Sequence, residues 1–240
     1  MDCNDTELRI LKELRADLIP LFENLLVFVK ESTKHFDSSH NHQHAQAVTL
    51  NALIIAKSPE FSMDIENIDL RKLLVIAMLH DVCDHKYKEL SISTEQLTNY
   101  IQTLTINTLQ TANIIKIIDS ISYSKQIKNA THENSLKPAD KSLLSILRDA
   151  DRIEAIGQIG IQRCYTYTKE SLGPTTDLVY EGKTADSVII PLVVQHCHDK
   201  LLRLYNEGII VTKKGREIAE PLHQEIVSYV LNNTPSAVMD

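Results

Sequence analysis

The chain of 240 residues has no tryptophan and only 6 glycines, 7 prolines and 4 cysteines. So few turn-forming residues argue against an all-β fold, whose many corners need them. Cys3, Cys83, Cys164 and Cys197 are scattered without CxxC pairing, which favours a reducing compartment over a disulfide framework. Positive charge is in deficit: 25 Lys and Arg against 32 Asp and Glu leave a formal charge of -7. That argues against a protein whose work is gripping long nucleic acid, because neutralising phosphates needs clustered Lys and Arg. No run approaches the ~18 consecutive apolar residues of a membrane span. The opening MDCNDTELRI has acids where a secretory signal would have bases. The expectation is a soluble cytoplasmic protein that makes no contact with a membrane.

What is present is helical periodicity. With 43% hydrophobic residues, a chain of this length can bury roughly 70–75% of its unfolded-state surface. Leu8, Leu11, Leu14, Leu18, Phe22, Leu25 and Val29 recur at three- and four-residue steps, so residues 4–30 read as an amphipathic helix that Pro20 should kink or split. Further helices are predicted over 40–57, 67–82, 93–104, 107–121 and 139–155, with a glycine-interrupted continuation of the last over 156–167. Two more close the chain at 191–206 and 212–232. Ser93-Thr94-Glu95-Gln96 has the pattern of a capping box. Residues 125–138 and 171–187 read as loops. Strand signals are nearly absent, so the fold class is all-α.

Three of these helices carry a metal-binding side chain where the periodicity calls for an apolar one. His44 continues the stripe Val48, Ala52, Ile55. Leu70, Leu73, Leu74 and Ala77 lead to His80-Asp81, and Leu144 and Leu147 lead to Asp151. Regular helices would point all four groups inward. Taken singly, each has a plain reading, as a hydrogen-bonded core histidine or a carboxylate paired with Arg148 or Arg152. Together they form a set whose burial cost a shared divalent cation would offset. Two imidazoles and two carboxylates fill four positions of an octahedral ion and leave two open. That suits Mn²⁺, Fe²⁺, Co²⁺, Ni²⁺ or Mg²⁺ better than a closed tetrahedral zinc site, and points to a metal-dependent hydrolase.

The order His44, then His80-Asp81, then Asp151 resembles the H…HD…D signature of the HD-domain superfamily of metal-dependent phosphohydrolases. The likeness extends to HNHQHAQAV, AMLHDVCDHKYKE, SISYSK, RDADRIEAIGQIGIQRCYTY and HDKLLRL, over roughly residues 38–230. These are similar to successive blocks of one compact subgroup. HDVCDHK followed at a distance by DADRIEAIG is specific, whereas the dipeptide HD alone is not. The resemblance implies a single helical bundle: residues 1–35 an amphipathic N-terminal segment, 36–232 the HD domain, and 233–240 a tail. It implies His44, His80, Asp81 and Asp151 as ligands of one cation, with Mn²⁺ first among the candidates. Asp84 matches the second acid of the subgroup's HDxxDHK block. A helix continuing past His80 would place Asp84 on the same side, either as proton acceptor for the attacking water or as a hydrogen-bond partner of His80. Asn41 stands where the family often has Asp, and Cys83 where the residue is usually small.

The subgroup includes enzymes that cleave nucleoside triphosphates to monophosphate and pyrophosphate, so a small-molecule nucleotide is the implied substrate. A nucleoside monophosphate phosphomonoesterase and a non-catalytic nucleotide-sensing module are the alternatives. Lys86, Lys125, His85 and His40 are the candidate substrate-binding groups, with Lys88 and Arg163 behind them. Tyr165, Tyr167 and Tyr180 are weaker candidates for base stacking. His196, His198 and His223 match recurrent positions of the subgroup without a role the sequence supplies. The N-terminal amphipathic helix covers the core or meets a partner, such as a second copy of the chain.

Overall fold

The computed structural model describes residues 3–37, 40–61, 68–84, 87, 89–104, 108–127, 133–173 and 184–234. Within these residues the regular structure is entirely helical, with no strand. The chain divides into two compact units, Met1–Asp151 and Arg152–Asp240.

The first unit begins with α1 (Cys3–Arg15) and α2 (Ile19–Ser32), joined by a tight 3₁₀ turn over Ala16–Leu18. The break therefore falls ahead of Pro20, which occupies the second position of α2. There its missing N–H removes no intrahelical hydrogen bond and its fixed φ suits the first turn. Of the predicted stripe, Leu11, Leu18, Phe22, Leu25 and Val29 are all but inaccessible, while Leu8 and Leu14 are half-buried. α3 (His42–Ala56) starts at Asn41, whose Oδ1 accepts from the backbone N–H of Gln43 and His44 at 2.9 and 3.3 Å. Asparagine serves as the N-cap where the related motif has aspartate.

The centre of this unit is α4 (Leu70–Leu79), entered through an Asp69 cap on the Lys72 N–H. Leu73, Leu74, Val75, Ile76, Ala77, Met78 and Leu79 are each at most 1% exposed. A helix apolar all round must be enclosed on every side, and α4 packs against α2, α3 and α6 (Thr108–Ile121). α5 (Thr94–Thr103) opens with the reciprocal Ser93–Gln96 capping box the sequence predicts. A short α7 (Tyr123–Ile127) occupies the start of the predicted loop, closed by the Gln126 N–H on the Ser122 carbonyl.

α8 (Pro138–Glu154) is tied to the central helices by polar contacts along its length. Asp140 accepts from Lys72 of α4 and from Asn113 of α6. Arg148, nearly buried, donates twice to the Ser120 carbonyl at 3.1 and 2.9 Å and once to Glu133. Asn51 of α3 reaches the Ala150 carbonyl at 3.5 Å. These contacts fix the register of α8, and with it the place of Asp151.

The second unit holds α9 (Gly157–Ser171), α10 (Ala185–His196), a π turn over Cys197–Leu201, α11 (Leu202–Asn206) and α12 (Lys213–Asn233). α9 packs on α10 and α12. α10 starts six residues before the predicted Pro191, because Thr184 caps it through the Ser187 N–H, and Pro191 lies within the helix. The glycines of the AIGQIG segment have distinct reasons. Gly157 has φ +75°, in the left-handed region. Gly160 has an ordinary helical conformation, but a Cβ there would lie 2.2 Å from the Ala155 carbonyl oxygen.

Alanine is ordinarily better than glycine inside a helix by about 1 kcal/mol. Here backbone, which cannot rotate away, blocks the methyl. Gly160→Ala is expected to lower the unfolding free energy by about 2 kcal/mol, because overpacking outweighs the propensity gain. Chemical denaturation measures it; an unchanged or higher midpoint would refute the close approach.

Candidate metal centre

His44 enters from the first turn of α3, in a position fixed by the Asn41 cap. His80 is the C-cap of α4, still in right-handed helical conformation, and Asp81 lies in the turn that follows. Asp151 comes from the last turns of α8. All four belong to the first unit. Nε2 of His44 is 3.4 Å from a carboxylate oxygen of Asp81 and 3.4 Å from one of Asp151. Nε2 of His80 is 3.4 Å from Asp81 and 3.9 Å from Asp151. The two imidazoles lie with centroids 5.3 Å apart. Donor atoms of His44, His80 and Asp81 all lie within 4.8 Å of one another, and Asp151 joins the set through both imidazoles.

The donor set fits a cation. His80 Nδ1 lies 2.9 Å from the Ala77 carbonyl. A carbonyl only accepts, so Nδ1 carries the proton and neutral His80 presents its Nε2 lone pair to the cluster. That Nε2 is buried and, among the described residues, makes no hydrogen bond of good geometry despite the carboxylates around it. Without a cation, protons do the neutralising. Burial acts to lower the His44 pKa, but Asp151 and Asp81 outweigh it and raise the value to about 9. His80 is shifted up in the same contest between burial and Asp81. Burial acts to raise Asp81, yet His80 and His44 hold it well below the usual carboxylate range. A divalent ion would take the place of these protons.

Asp84 is placed otherwise than the helical extrapolation implies. α4 ends at Leu79, and Asp84 follows a turn closed by its own N–H on the Asp81 carbonyl at 3.0 Å. No glycine, asparagine or proline in Leu79-His80-Asp81-Val82 signals this stop. The Asp84 carboxylate faces His40, with Oδ2 3.5 Å from Nε2. His40 thus stands beside the cluster, its ring centroid 6.1 Å from that of His44. Tyr87, which the sequence reading passes over, holds His40 from behind: the ring stacks on Phe36 and the hydroxyl contacts His40 Nδ1 at 3.3 Å. Tyr87 lies one turn after Asp84 in the HDxxDHKY run, the signal that could have found it.

Other candidates separate. Lys125 stands on α7, 3.7 Å from Asp119, and both side chains are largely exposed. Asp119 also adjoins Cys83, whose thiol burial and that carboxylate raise to about 11, so it stays protonated at neutral pH. His85, Lys86, Lys88 and Tyr180 lie outside the described residues. Arg163 is committed to Glu154, donating to its carbonyl at 3.0 Å and its carboxylate at 2.9 Å. That pairing spans the α8–α9 break. Tyr165 donates to Asp186, Tyr167 is exposed, and His223 stacks on Tyr205 at 4.7 Å as a packing residue. Burial first, then Lys200, lowers the pKa of His196.

No protein-family model matches the sequence. An uncharacterized protein of Acanthamoeba polyphaga mimivirus is 28% identical over 232 residues, covering 83% of this chain and 90% of that protein. YpgQ of Bacillus subtilis is 23% identical over 209 residues, covering 87% and 89%. The crystal structure of YpgQ in complex with ADP superposes with a TM-score of 0.63 at 22% identity, over 91% of this chain and 97% of that one. An HD-superfamily hydrolase from Bacillus thuringiensis superposes with a TM-score of 0.58 at 19% identity, covering 89% and 94%. No helix among the described residues is long and apolar enough to cross a membrane. The chain shares the fold of these structures, one of them an HD-superfamily hydrolase.

Proposed function

We propose that this protein is a metal-dependent phosphohydrolase that cleaves (deoxy)nucleoside triphosphates to the monophosphate and pyrophosphate. The observation that carries the reading is the convergence of His44, His80, Asp81 and Asp151 from three separated stretches of chain, with imidazole-to-carboxylate distances of 3.4–3.9 Å. These four would hold the ion, with Mn²⁺ the first candidate. When bound, it supplies a Lewis acid for a phosphate oxygen and a lowered pKa for a water. Asp84, at 12% side-chain exposure, borders the cluster and would orient that water and accept its proton. Lys125, with Lys86 and His85, would meet phosphate charge. A nucleotide as substrate draws support from the ADP complex of YpgQ.

The test is a panel of deoxynucleoside and nucleoside triphosphates incubated with purified protein and Mn²⁺. Release of pyrophosphate and a monophosphate, abolished by chelator, is the expected outcome. Orthophosphate from monophosphates, with triphosphates untouched, would replace this reading with a phosphomonoesterase. Metal-dependent nucleotide binding without turnover under any divalent cation would replace it with a sensing module.

A further inference from the structure

We infer that Arg148 is a positioning residue for the metal centre. Its two-point hold on the end of α6 keeps the Asp151 carboxylate in reach of both imidazoles. The role builds on the cation-binding part of the proposed function and holds whatever the substrate.

Arg148 lies one helical turn before Asp151 on α8 and is only 8% exposed. Around it Leu143, Leu144, Ile146, Leu147 and Ala150 are each at most 2% exposed. A guanidinium in such a stretch is costly unless its donors are met. Nε and Nη2 both donate to the Ser120 carbonyl, at 3.1 and 2.9 Å. Nη1 donates to Glu133 at 2.9 Å, but the Glu133 side chain is 48% exposed. Solvent screens that ion pair, and such pairs contribute little. The Ser120 contact is the buried arm.

Ser120 stands in the last turn of α6, the end at which helix carbonyls lack a following turn and the dipole is negative. A leucine at 148 would pack there without dehydrating a charge, so stability alone gives little reason for arginine. What arginine adds is direction. Its planar fork, always charged, meets one oxygen from two nitrogens and resists rotation of α8. Asp151 follows only about 4.5 Å along the axis, so any slip of α8 moves its carboxylate. Other anchors are farther or looser: Asp140 is eleven residues back, and Asn51 reaches the Ala150 carbonyl at 3.5 Å. Asp151 stands 3.4 Å from His44 and 3.9 Å from His80. A ligand set of this kind must be held to within ~0.5 Å. Ser120 also opens the SISYSK run that leads to Lys125, so the same fork sets α8 against that segment.

The test is Mn²⁺ affinity, read from the electron paramagnetic resonance of unbound Mn²⁺ as full-length, chelator-stripped protein is titrated. Arg148→Lys keeps the charge and loses the fork. Its Kd is expected to rise about tenfold, the scale seen when groups behind a metal ligand are removed. Arg148→Gln, which keeps a donor without a buried charge, should show the same loss, so the answer does not depend on lysine being accommodated. Glu133→Gln, which weakens only the exposed arm, should bind Mn²⁺ as wild type does. In an Asp151→Asn background, Arg148→Lys should raise the Kd no further, because the group it places has lost its charge.

A merely structural arginine would lower the melting temperature and leave the Kd alone. A Kd within twofold of wild type in both Arg148 variants therefore overturns the inference. An equal loss in Glu133→Gln, or a fully additive loss in the Asp151→Asn background, overturns it as well. Failure of the proposed reaction is a separate result: the expected Mn²⁺ affinities with no nucleotide turned over leave Arg148 in its role and remove the phosphohydrolase.

Discussion

Asp151→Asn is expected to reduce turnover by about a thousandfold or more, equivalent to roughly 4 kcal/mol of barrier. An amide keeps the shape and loses the charge, so the two imidazoles would face one carboxylate where now they face Asp81 and Asp151 at 3.4–3.9 Å. The variant should load far less Mn²⁺, and excess metal should restore part of the activity. Steady-state kinetics at several Mn²⁺ concentrations would show it. Activity within a few-fold of wild type at low Mn²⁺ would remove Asp151 from the site. Stability offers an independent readout. In stripped protein the raised pKa of His44, about 9, means that protonated His44 stabilises the fold. That contribution is fully present below the unfolded-state value near 6.5 and is lost as pH rises through 9. In Asp151→Asn the loss should shrink, because one of the two carboxylates that produce the shift is gone.

The second large effect concerns Glu7, on α1, which is fully buried with no hydrogen bond from another described residue to either carboxylate oxygen. Burial raises its pKa from 4.5 to about 7, outweighing the opposite effect of its own backbone amide. The sign follows from linkage: the folded chain binds the proton more tightly, so stability from this group is complete below pH 4.5 and falls as pH climbs to 7. Above pH 7 the folded state holds a buried charge. Glu7→Gln abolishes the titration. Measured against wild type, the substitution should be more favourable at pH 8 than at pH 5 by about 2.5 kcal/mol. Denaturant midpoints of both proteins at the two pH values give the difference directly. Equal effects at both would show that Glu7 is already ionised and solvated in the fold.

Glu7 also shows what a sequence reading can miss by selective attention. It lies four residues before Leu11 and eleven before Leu18 on the buried stripe. The rule that singles out His44, Asp81 and Asp151, a polar group where an apolar one is due, applies to Glu7 equally. It was legible and has no motif to draw the eye. The meeting of His44 with Asp151 was legible because Val48, Ala52 and Ile55 in one helix and Leu144 and Leu147 in the other are buried as their spacing requires. The end of α4 was not. Helix stops are written in glycine, asparagine or proline beyond the last turn, and none follows Leu79 closely. The Glu154 partner of Arg163 was likewise out of reach, since the pairing depends on the turn between α8 and α9 that ends at the positive φ of Gly157. The early start of α10 was open to view in Thr184, whose capping role Pro191 obscured.

The seclusion of α4 has a consequence for how the protein loses its function. Amide protons of residues 74–79 sit in a rod with no face toward solvent, so they should exchange with deuterium only when the whole first unit opens. His80 caps that rod and Asp81 is the next residue. Heat, urea or a destabilising substitution should therefore speed exchange in the loops long before it disturbs these two side chains. Inactivation and cooperative melting of the unit should then coincide as a single event.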